Sequence, residues 1–507
     1  MLLFETILGL LLGATLLSAI AQRANIPYPT LLAVGGALVA FLPGAPEFAL
    51  PPELILALFV APILLDAAHD ASLRDLKQNW RPLLSLVLVA VGLTTFVVAL
   101  TARALVPDFP WAAAIALGAL VAPPDAVAAL AVLRQVEPPH RIRKVLEGES
   151  LLNDASALLI YKLAIGAAAA GSFSVADAVP TFGLVVIGSI AVGWLLAWPV
   201  GYLVHRIEDA PTSVVLQFVI TFGVWLLAER LGLSAVITIV VFGLTTARRS
   251  MYPMASNVRV PSFAIWESVT FVLNVLAFTL IGLQLGPILE PLSGSERVRY
   301  IGAALAILAA VILIRLLWVT VYTLLQRARR PDPQGRPARL TPKSGLVIGW
   351  SGMRGIVTLA AAIALPQSFP HRDFILFTAF VVVLGTLVLQ GLTLRLLIAW
   401  LKLPKDDVVE TELTEARAVA LKAAMQALEQ EDGPAAERLR REYKEALHQA
   451  RRGGDPRDTA DNALRRRVVP ASRKAIEDLR HSGTIGDDAY RLVEEELDWL
   501  ELSARAP

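Results

Sequence analysis

Thirteen stretches of the chain are apolar, and short polar connections separate them. A run of about 18 or more apolar residues is typical of a helix that spans a membrane. The pattern therefore predicts thirteen helical spans, of which the second and the ninth are short enough to be half-spans. They lie near residues 2–21, 29–43, 53–68, 83–106, 110–133, 145–170, 176–204, 212–229, 233–247, 262–286, 299–326, 344–366 and 374–401.

Lys and Arg residues are unevenly distributed among the connections. Alternate connections, beginning with the first, carry eighteen of them, whereas the intervening connections carry five. Cytoplasmic loops of membrane proteins are enriched in Lys and Arg, so the alternation predicts an N-terminus outside the cell and a C-terminus inside it. We expect the first helix to be retained rather than cleaved, because it carries Glu5 and no basic segment precedes it.

The hydrophobic pattern changes after Trp400. Residues 403–507 are rich in Glu, Arg, Lys and Ala, and their apolar residues recur at helical spacing. Glycine-containing turns divide this region into about four predicted helices. We therefore predict a transmembrane domain at 1–402 and a helical cytoplasmic tail at 403–507. The tail is either a solvated appendage or a regulatory or dimerising element.

The composition is that of a membrane protein. Of 507 residues, 55% are hydrophobic and 18% are charged, and the mean hydropathy is +0.60. No class of soluble globular protein has this composition. The chain contains no cysteine, which excludes disulfides, thiolate metal sites and a cysteine nucleophile. A net charge of +2 says little about partners. We expect no cofactor and no nucleic-acid partner.

The sixth span carries polar residues that a membrane helix rarely tolerates. Residues 144–166 form an apolar stretch that contains Glu149, Ser150, Asn153 and Asp154. An ionised side chain at membrane depth costs about 3 kcal/mol or more, so it usually faces a partner or a water-filled cavity. Helical spacing puts Ser150 and Asp154 on one face. The alternative, a soluble amphipathic helix with a hydrated polar stripe, is disfavoured by the apolar surroundings.

A deep arginine in the twelfth span offers a partner for one of these carboxylates. Arg354 lies between two glycines in an apolar segment. A buried guanidinium needs a carboxylate, and its geometry suits a bidentate pair. We therefore predict that Glu149 pairs with Arg354, which leaves Asp154 and Ser150 to present oxygen atoms to a small cation. Arg315, in the eleventh span, is expected to contact a helix end or to extend to the interface.

The fifth span contains a predicted break. Pro123 and Pro124 fall in its middle, and Asp125 follows. Proline removes a backbone donor, and non-helical backbone at membrane depth is tolerated only where it lines a cavity or is buried in protein. Secondary transporters bind ions at such breaks, so Asp125 and backbone oxygen near Pro124 are candidate cation ligands. The alternative is a simple proline kink in which Asp125 pairs with an arginine.

A further carboxylate lies at the end of the third span. Asp66 could reach the same cavity from the cytoplasmic side. An interfacial position in headgroup water is the alternative for Asp66, and it is the better interpretation for the neighbouring His69 and Asp70.

Three motifs occur together in the chain. They are PPDAVAA at 123–129, GESLLNDA at 148–155 and GMRG at 352–355. In combination they resemble the monovalent cation:proton antiporter family, in its sodium/proton exchanger branch, over roughly residues 1–400. The resemblance implies an all-α membrane fold of thirteen helices with an inverted repeat. In that fold two unwound helices cross near the midplane, six helices form a moving core, and the others form a dimerisation domain.

The resemblance also implies roles for the residues of the sixth span. Asp154 is the ion- and proton-binding carboxylate, Asn153 is its companion, and Ser150 is an additional oxygen ligand. The Asn–Asp pair resembles the electroneutral branch of the family, which exchanges one proton for one cation.

Residues outside the sixth span match the family less uniformly. Asp125 corresponds to the acid of the unwound segment, and Glu149 and Arg354 correspond to a structural salt bridge. Asp66 matches more loosely. Many relatives have threonine immediately before the acid of the unwound segment, where this chain has Pro124. Backbone carbonyls therefore replace a hydroxyl ligand, which bears on ion selectivity.

The function implied is secondary active exchange of Na⁺ or Li⁺ for H⁺ in a bacterial inner membrane, by a homodimer. Exchange of K⁺, or of both K⁺ and Na⁺, on the same scaffold is the first alternative. A cation channel would need a continuous pore, which the broken helices and a single proton-competing carboxylate disfavour. An intramembrane enzyme would have only Ser150 and His69 as nucleophile and base, without a GxSxG motif, so we expect no enzymatic activity.

Overall fold

The structure of the protein, a computed structural model, describes residues 2–42, 51–136, 138–170, 175–248, 255–290, 292, 294–328, 340–404 and 407–505. All regular structure within these residues is helical, as the sequence predicts. Contacts between Cα atoms divide the chain into two compact units, Met1–Pro404 and Lys405–Pro507.

The first unit is built from nineteen α-helices within the described ranges. They are α1 (Leu2–Ala24), α2 (Tyr28–Val39), α3 (Pro52–Ile55), α4 (Ala61–Asp70), α5 (Leu73–Gln78), α6 (Trp80–Leu84), α7 (Val91–Leu105), α8 (Trp111–Val121), α9 (Ala126–Leu133), α10 (His140–Ala170), α11 (Val175–His205), α12 (Ala210–Arg230), α13 (Ala235–Arg248), α14 (Ser256–Leu283), α15 (Leu285–Leu289), α16 (Gly294–Ala328), α17 (Pro342–Trp350), α18 (Ile356–Ile363) and α19 (Arg372–Leu401). Short π-helical turns, Leu56–Val60 and Ser85–Ala90, join α3 to α4 and α6 to α7.

Nine helical segments in the described part of the chain are long and apolar enough to cross a membrane. Three shorter apolar helices, α2, α8 and α13, accompany them. Each predicted span falls on one helix or on consecutive helices, but the number of thirteen crossings and their orientation stay predictions. Five of the basic residues that predict the orientation, Arg249, Arg329, Arg330, Arg336 and Arg339, lie outside the described residues.

Contacts between helices sort the first unit into two bundles. Bundle A contains α5–α10 and α16–α19, and bundle B contains α1–α4 and α11–α14. Within bundle B, α2 and α14 cross closely, because a side chain at Gly36 or Gly282 would overlap the backbone of the other helix. The bundles meet where α19 contacts α2, where α10 contacts α4 and α13, and where α18 contacts α3 and α14. The inverted repeat stays a prediction.

The second unit has four α-helices and a 3₁₀ turn in its described residues. The helices are α20 (Val408–Ala427), α21 (Pro434–Arg451), α22 (Ala460–His481) and α23 (Asp487–Ala504). Gly433, Gly453 and Gly483 lie between them with φ values of 110°, 77° and 72°, a region that glycine adopts without steric cost. Hydrogen bonds from Arg457 hold the pKa of Asp455 below its usual range, so this carboxylate is charged at neutral pH. A cytoplasmic location for this unit stays a prediction.

Candidate functional site

The fifth predicted span is divided by a helix break. Helix α8 ends at Val121, and α9 begins at Ala126. Pro123 and Pro124 lie between them, where their missing N–H groups do not interrupt a helix. Asp125 is the N-cap of α9, and its Oδ1 accepts a hydrogen bond from Val127 N–H at 3.0 Å. The prolines therefore end one helix, and the aspartate starts the next.

The twelfth predicted span is divided in the same way. Helix α17 ends at Trp350, α18 begins at Ile356, and residues 351–355 between them are buried. We call this segment the second break and residues 122–125 the first break. The second break contains no proline, and the span pattern predicts a continuous stretch at 344–366; the two glycines of GMRG were the available signal.

The two breaks contact each other through Asp125. Its N–H donates a hydrogen bond to the Met353 carbonyl at 2.6 Å. Its carboxylate lies against Gly355, the N-cap of α18, where any side chain would overlap it. Asp125 thus lies at the N-terminal ends of both α9 and α18. A helix N-terminus carries partial positive charge, so one carboxylate stabilises two helix starts.

Arg354 lies at a helix C-terminus, whereas Asp125 lies at helix N-termini. Its Nε donates to Val121 O at 2.8 Å, and its Nη2 donates to Ala122 O at 3.2 Å, at the end of α8. Its Nη1 donates to Gly352 O within the second break. Free carbonyls at a helix C-terminus carry partial negative charge, so the fully buried guanidinium stabilises the end of α8.

Arg315, from α16, is the partner of Glu149. Its Nη1 and Nη2 donate to the two carboxylate oxygens at 2.5 and 2.8 Å, and the two side chains are 3% and 1% exposed. Arg315 also donates to Ile348 O and Gly349 O near the end of α17. The predicted pairing of Glu149 with Arg354 is therefore wrong. Arg354 follows the end of α17 and faces the carbonyls of α8, whereas Arg315 reaches Glu149 from α16.

Sequence reasoning missed this role of Arg315. An arginine in the apolar eleventh span is as costly to bury as Arg354, and that cost was the available signal. Glu149 was a possible partner for either arginine, and spacing along the sequence does not distinguish between the two.

Asn153, on α10, lies beside the first break. It is fully buried, and its Nδ2 donates to Pro124 O at 2.8 Å. Its Oδ1 has no hydrogen-bond partner among the described residues. The amide nitrogen therefore contacts the first break, and the amide oxygen remains available as an acceptor.

Asp154 is the next residue on α10. Its side chain is buried, and it has no hydrogen-bond or ion-pair partner within the described part of the chain. Asp125 is close enough to interact with it electrostatically. Carboxylate and amide oxygens are ligands that hard cations prefer, so Asp154 and Asn153 can bind an alkali cation.

The structure separates the other candidates. Ser150 is half-buried on α10, one turn before Asp154. Asp66 is half-buried on α4 in bundle B, and it makes no hydrogen bond to the α10 residues that the structure describes. Glu267, of α14, lies within electrostatic range of Asp66. His69 Nε2 is 3.0 Å from Thr246 Oγ1, a contact within bundle B.

The amino-acid sequence matches a known family over most of the first unit. Residues 7–400 match the family model described as sodium/hydrogen exchanger, transmembrane. The chain belongs to this family. The resemblance that the three motifs carry is therefore confirmed, and the chain is a multi-pass membrane protein of the antiporter class.

Several curated proteins are similar to the chain. A sodium, potassium, lithium and rubidium/H⁺ antiporter of Bacillus pumilus is 31% identical over 421 residues, which cover 80% of this chain and 62% of that protein. The chain thus spans less than two thirds of that relative. The low-affinity Na⁺/H⁺ antiporter NhaS1 of Synechocystis is 30% identical over 455 residues, which cover 86% of this chain and 82% of that protein.

A solved structure shares the fold. The sodium proton antiporter MjNhaP1 from Methanocaldococcus jannaschii, at pH 8, superposes with a TM-score of 0.60 at 18% sequence identity. The match covers 79% of this chain and 99% of that chain. The two proteins therefore have the same helical architecture.

Proposed function

We propose that the protein exchanges Na⁺ or Li⁺ for H⁺ across the cell membrane, with cation and proton competing for Asp154. The observation that carries this proposal is that the carboxylate of Asp154 is buried without a counter-charge within the described ranges. Among the described residues its buried carboxylate has no partner, whereas the nearby Glu149 is neutralised by Arg315. Membership of the exchanger family supports the same reaction.

The coupling follows from the cost of a bare charge. A carboxylate without a counter-ion is expensive at membrane depth, so bundle A moves only after Asp154 has been neutralised. Either a proton or an alkali cation can neutralise it, and each occupies the oxygen that the other needs. Movement with a proton in one direction and a cation in the other is exchange. One carboxylate carrying one charge gives an electroneutral exchange of one cation for one proton.

The neighbouring groups prepare the site. Asn153 Nδ2 donates a hydrogen bond to Pro124 O, and this bond fixes the orientation of the amide. The Oδ1 atom then remains available as a cation ligand. The Pro124 carbonyl has a second lone pair that can coordinate the cation. Ser150 adds a hydroxyl on the same face of α10 as Asp154. Asp125 adds negative potential and keeps the two breaks together through Met353 O.

The moving part of the protein is bundle A, because the described site residues on α10 and at both breaks belong to it. Bundle B provides Asp66 on the path to the site. It also forms the contact of a homodimer, as the family fold implies. Rocking or sliding of one bundle against the other then opens the site to either side in turn.

Everted membrane vesicles test the proposal. Respiration acidifies the vesicle interior, and Na⁺, Li⁺ and K⁺ are added separately while the pH gradient is followed. We expect Na⁺ and Li⁺ to dissipate the gradient, and Asp154→Asn to abolish the response. Asp209→Asn is a matched control, because Asp209 is the exposed N-cap of α12 and asparagine caps helices equally well. A wild-type rate in Asp154→Asn would overturn the mechanism.

Exchange of K⁺, alone or with Na⁺, is a second candidate. The Bacillus pumilus relative is named for four alkali cations. The carbonyl of Pro124 in place of a threonine hydroxyl also leaves the cavity with a different set of ligands. A response to K⁺ alone in the same vesicles would keep the role of Asp154 and change the substrate.

A further inference from the structure

One amide in bundle A takes no part in the site described above. Gln390, on α19, is fully buried, and neither its Nε2 nor its Oε1 has a hydrogen-bond partner among the described residues. A buried polar group left unpaired costs about 1–3 kcal/mol. Native proteins satisfy nearly all such groups with protein atoms or ordered water. Gln390 therefore needs a partner that the described side chains do not supply.

The neighbours of Gln390 show where its side chain points. Thr386 Oγ1 accepts the N–H of Arg354, in the second break, at 3.0 Å. Leu387 O accepts the hydroxyl of Thr30, on α2, at 2.7 Å. Each helical residue turns by about 100°, so position 390 lies between the directions of positions 386 and 387. Gln390 thus points into the space between the second break and α2, which we call the wedge.

Met353 lies along the same wedge. Its backbone belongs to the second break, and its Sδ is 3.7 Å from the position of an ideal Cβ at Gly391. The same Cβ position is 2.5 Å from Thr30 Oγ1, which shows how closely α19 and α2 approach each other there. The Met353 side chain is fully buried, so it does not contact bulk solvent.

The wedge is a polar part of the boundary between the bundles. Thr30 belongs to bundle B and Leu387 to bundle A, so their hydrogen bond connects the two. The boundary between α18 and α3 is apolar by comparison, with Ile55, Phe59 and Ala360 in one hydrophobic cluster. The amide of Gln390 therefore lies on a side of the boundary that already exchanges hydrogen bonds.

We propose that Gln390 holds ordered water in this wedge, so that α2 and the second break meet through a hydrated contact. Water fits the chemistry, because the amide offers donors and an acceptor together. The N–H groups of Gly352 and Met353, in the adjoining segment, likewise donate to no backbone carbonyl among the described residues. Buried water commonly satisfies such groups with two to four hydrogen bonds.

The hydrated contact has a consequence for movement, and this consequence alone rests on the proposed function. Water-mediated hydrogen bonds are nearly as favourable as direct ones, and a mobile water can change partners. Bundle A can then shift along α2 without leaving Gln390 or the second break unsatisfied. Gln390 is a positioning residue in this account, because it acts on the second break through water.

Radiolytic hydroxyl-radical labelling of the purified full-length protein tests the water site. Ionised bound water oxidises the side chain beside it, so a buried methionine is labelled only where water is trapped. We expect Met353 to be oxidised in the wild type, and the yield to fall about fivefold in Gln390→Leu, which removes the amide donor and acceptor at similar volume. Oxidation of Met425, in the second unit, is the internal reference for the radical dose. Thr95→Val is the matched control, because it removes a buried hydroxyl on α7 that also has no hydrogen-bond partner in the described part of the chain.

The outcomes separate cleanly. An unlabelled Met353 in the wild type overturns the proposal without any variant. Equal labelling in the wild type and in folded Gln390→Leu also overturns it, because the water would then be held by other groups. Labelling does not depend on transport, so a failure of cation exchange in vesicles leaves this result untouched, and the converse holds as well.

Discussion

Glu149 and Asp154 are two buried carboxylates on one helix, and they differ in whether another side chain pairs with them. Both oxygens of Glu149 accept hydrogen bonds from Arg315. Asp154, little more than one turn away, has no partner in the part of the chain that the structure describes. A paired carboxylate keeps a fixed charge, whereas an unpaired one must acquire a proton or a cation. The comparison teaches that the lack of an internal counter-charge, rather than burial, distinguishes the proposed ion site from a structural carboxylate.

The largest expected effect concerns stability. Glu149→Gln leaves the Arg315 guanidinium buried without its carboxylate, which should lower the free energy of unfolding by about 3–5 kcal/mol. Asp154→Asn removes an unpaired buried carboxylate, so its stability should equal or exceed that of the wild type. Thermal unfolding of both variants in detergent measures the difference. Equal losses in the two variants would remove the distinction between the carboxylates.

A charge exchange sharpens the assignment of the partner. Glu149→Arg combined with Arg315→Glu should recover about 1–3 kcal/mol relative to the sum of the single changes. Glu149→Arg combined with Arg354→Glu should recover nothing, because Arg354 donates to the carbonyls of Val121 and Ala122. A double-mutant cycle of thermal stability measures both. Recovery of stability in the double variant with Arg354→Glu, but not in the one with Arg315→Glu, would contradict the observed pairing.

A smaller effect is expected at the contact between the breaks. The methyl group of Gly355→Ala would overlap the Asp125 carboxylate, so the breaks must move apart at a cost of about 1–3 kcal/mol. Cation exchange should slow by more than this loss of folded protein accounts for, because the site is displaced. Gly92→Ala, on α7, is the control, since its methyl group meets nothing within 4 Å. Unchanged exchange in Gly355→Ala would show that the contact does not position the site.

Local pattern explains what the sequence could predict. The polar residues of α10 stand out from an apolar span, and consecutive prolines predict the first break wherever the chain folds. The partner of Glu149 depends on how α16 and the second break approach α10 in space. That approach also creates the hydrogen bond from Asp125 to Met353, which joins residues far apart in the chain. Such contacts leave no periodic signal, so only the three-dimensional structure reveals them.

The central claim is that a proton and a cation compete for Asp154, and proton release on cation binding tests it most directly. Purified protein in a weakly buffered detergent solution near neutral pH is mixed with NaCl, and the change in pH is recorded against choline chloride. We predict the release of about one proton per chain at saturating Na⁺. Asp154→Asn should release none, and Asp209→Asn should behave as the wild type. Proton release that persists in Asp154→Asn, or Na⁺ binding to the wild type without release, would contradict the account.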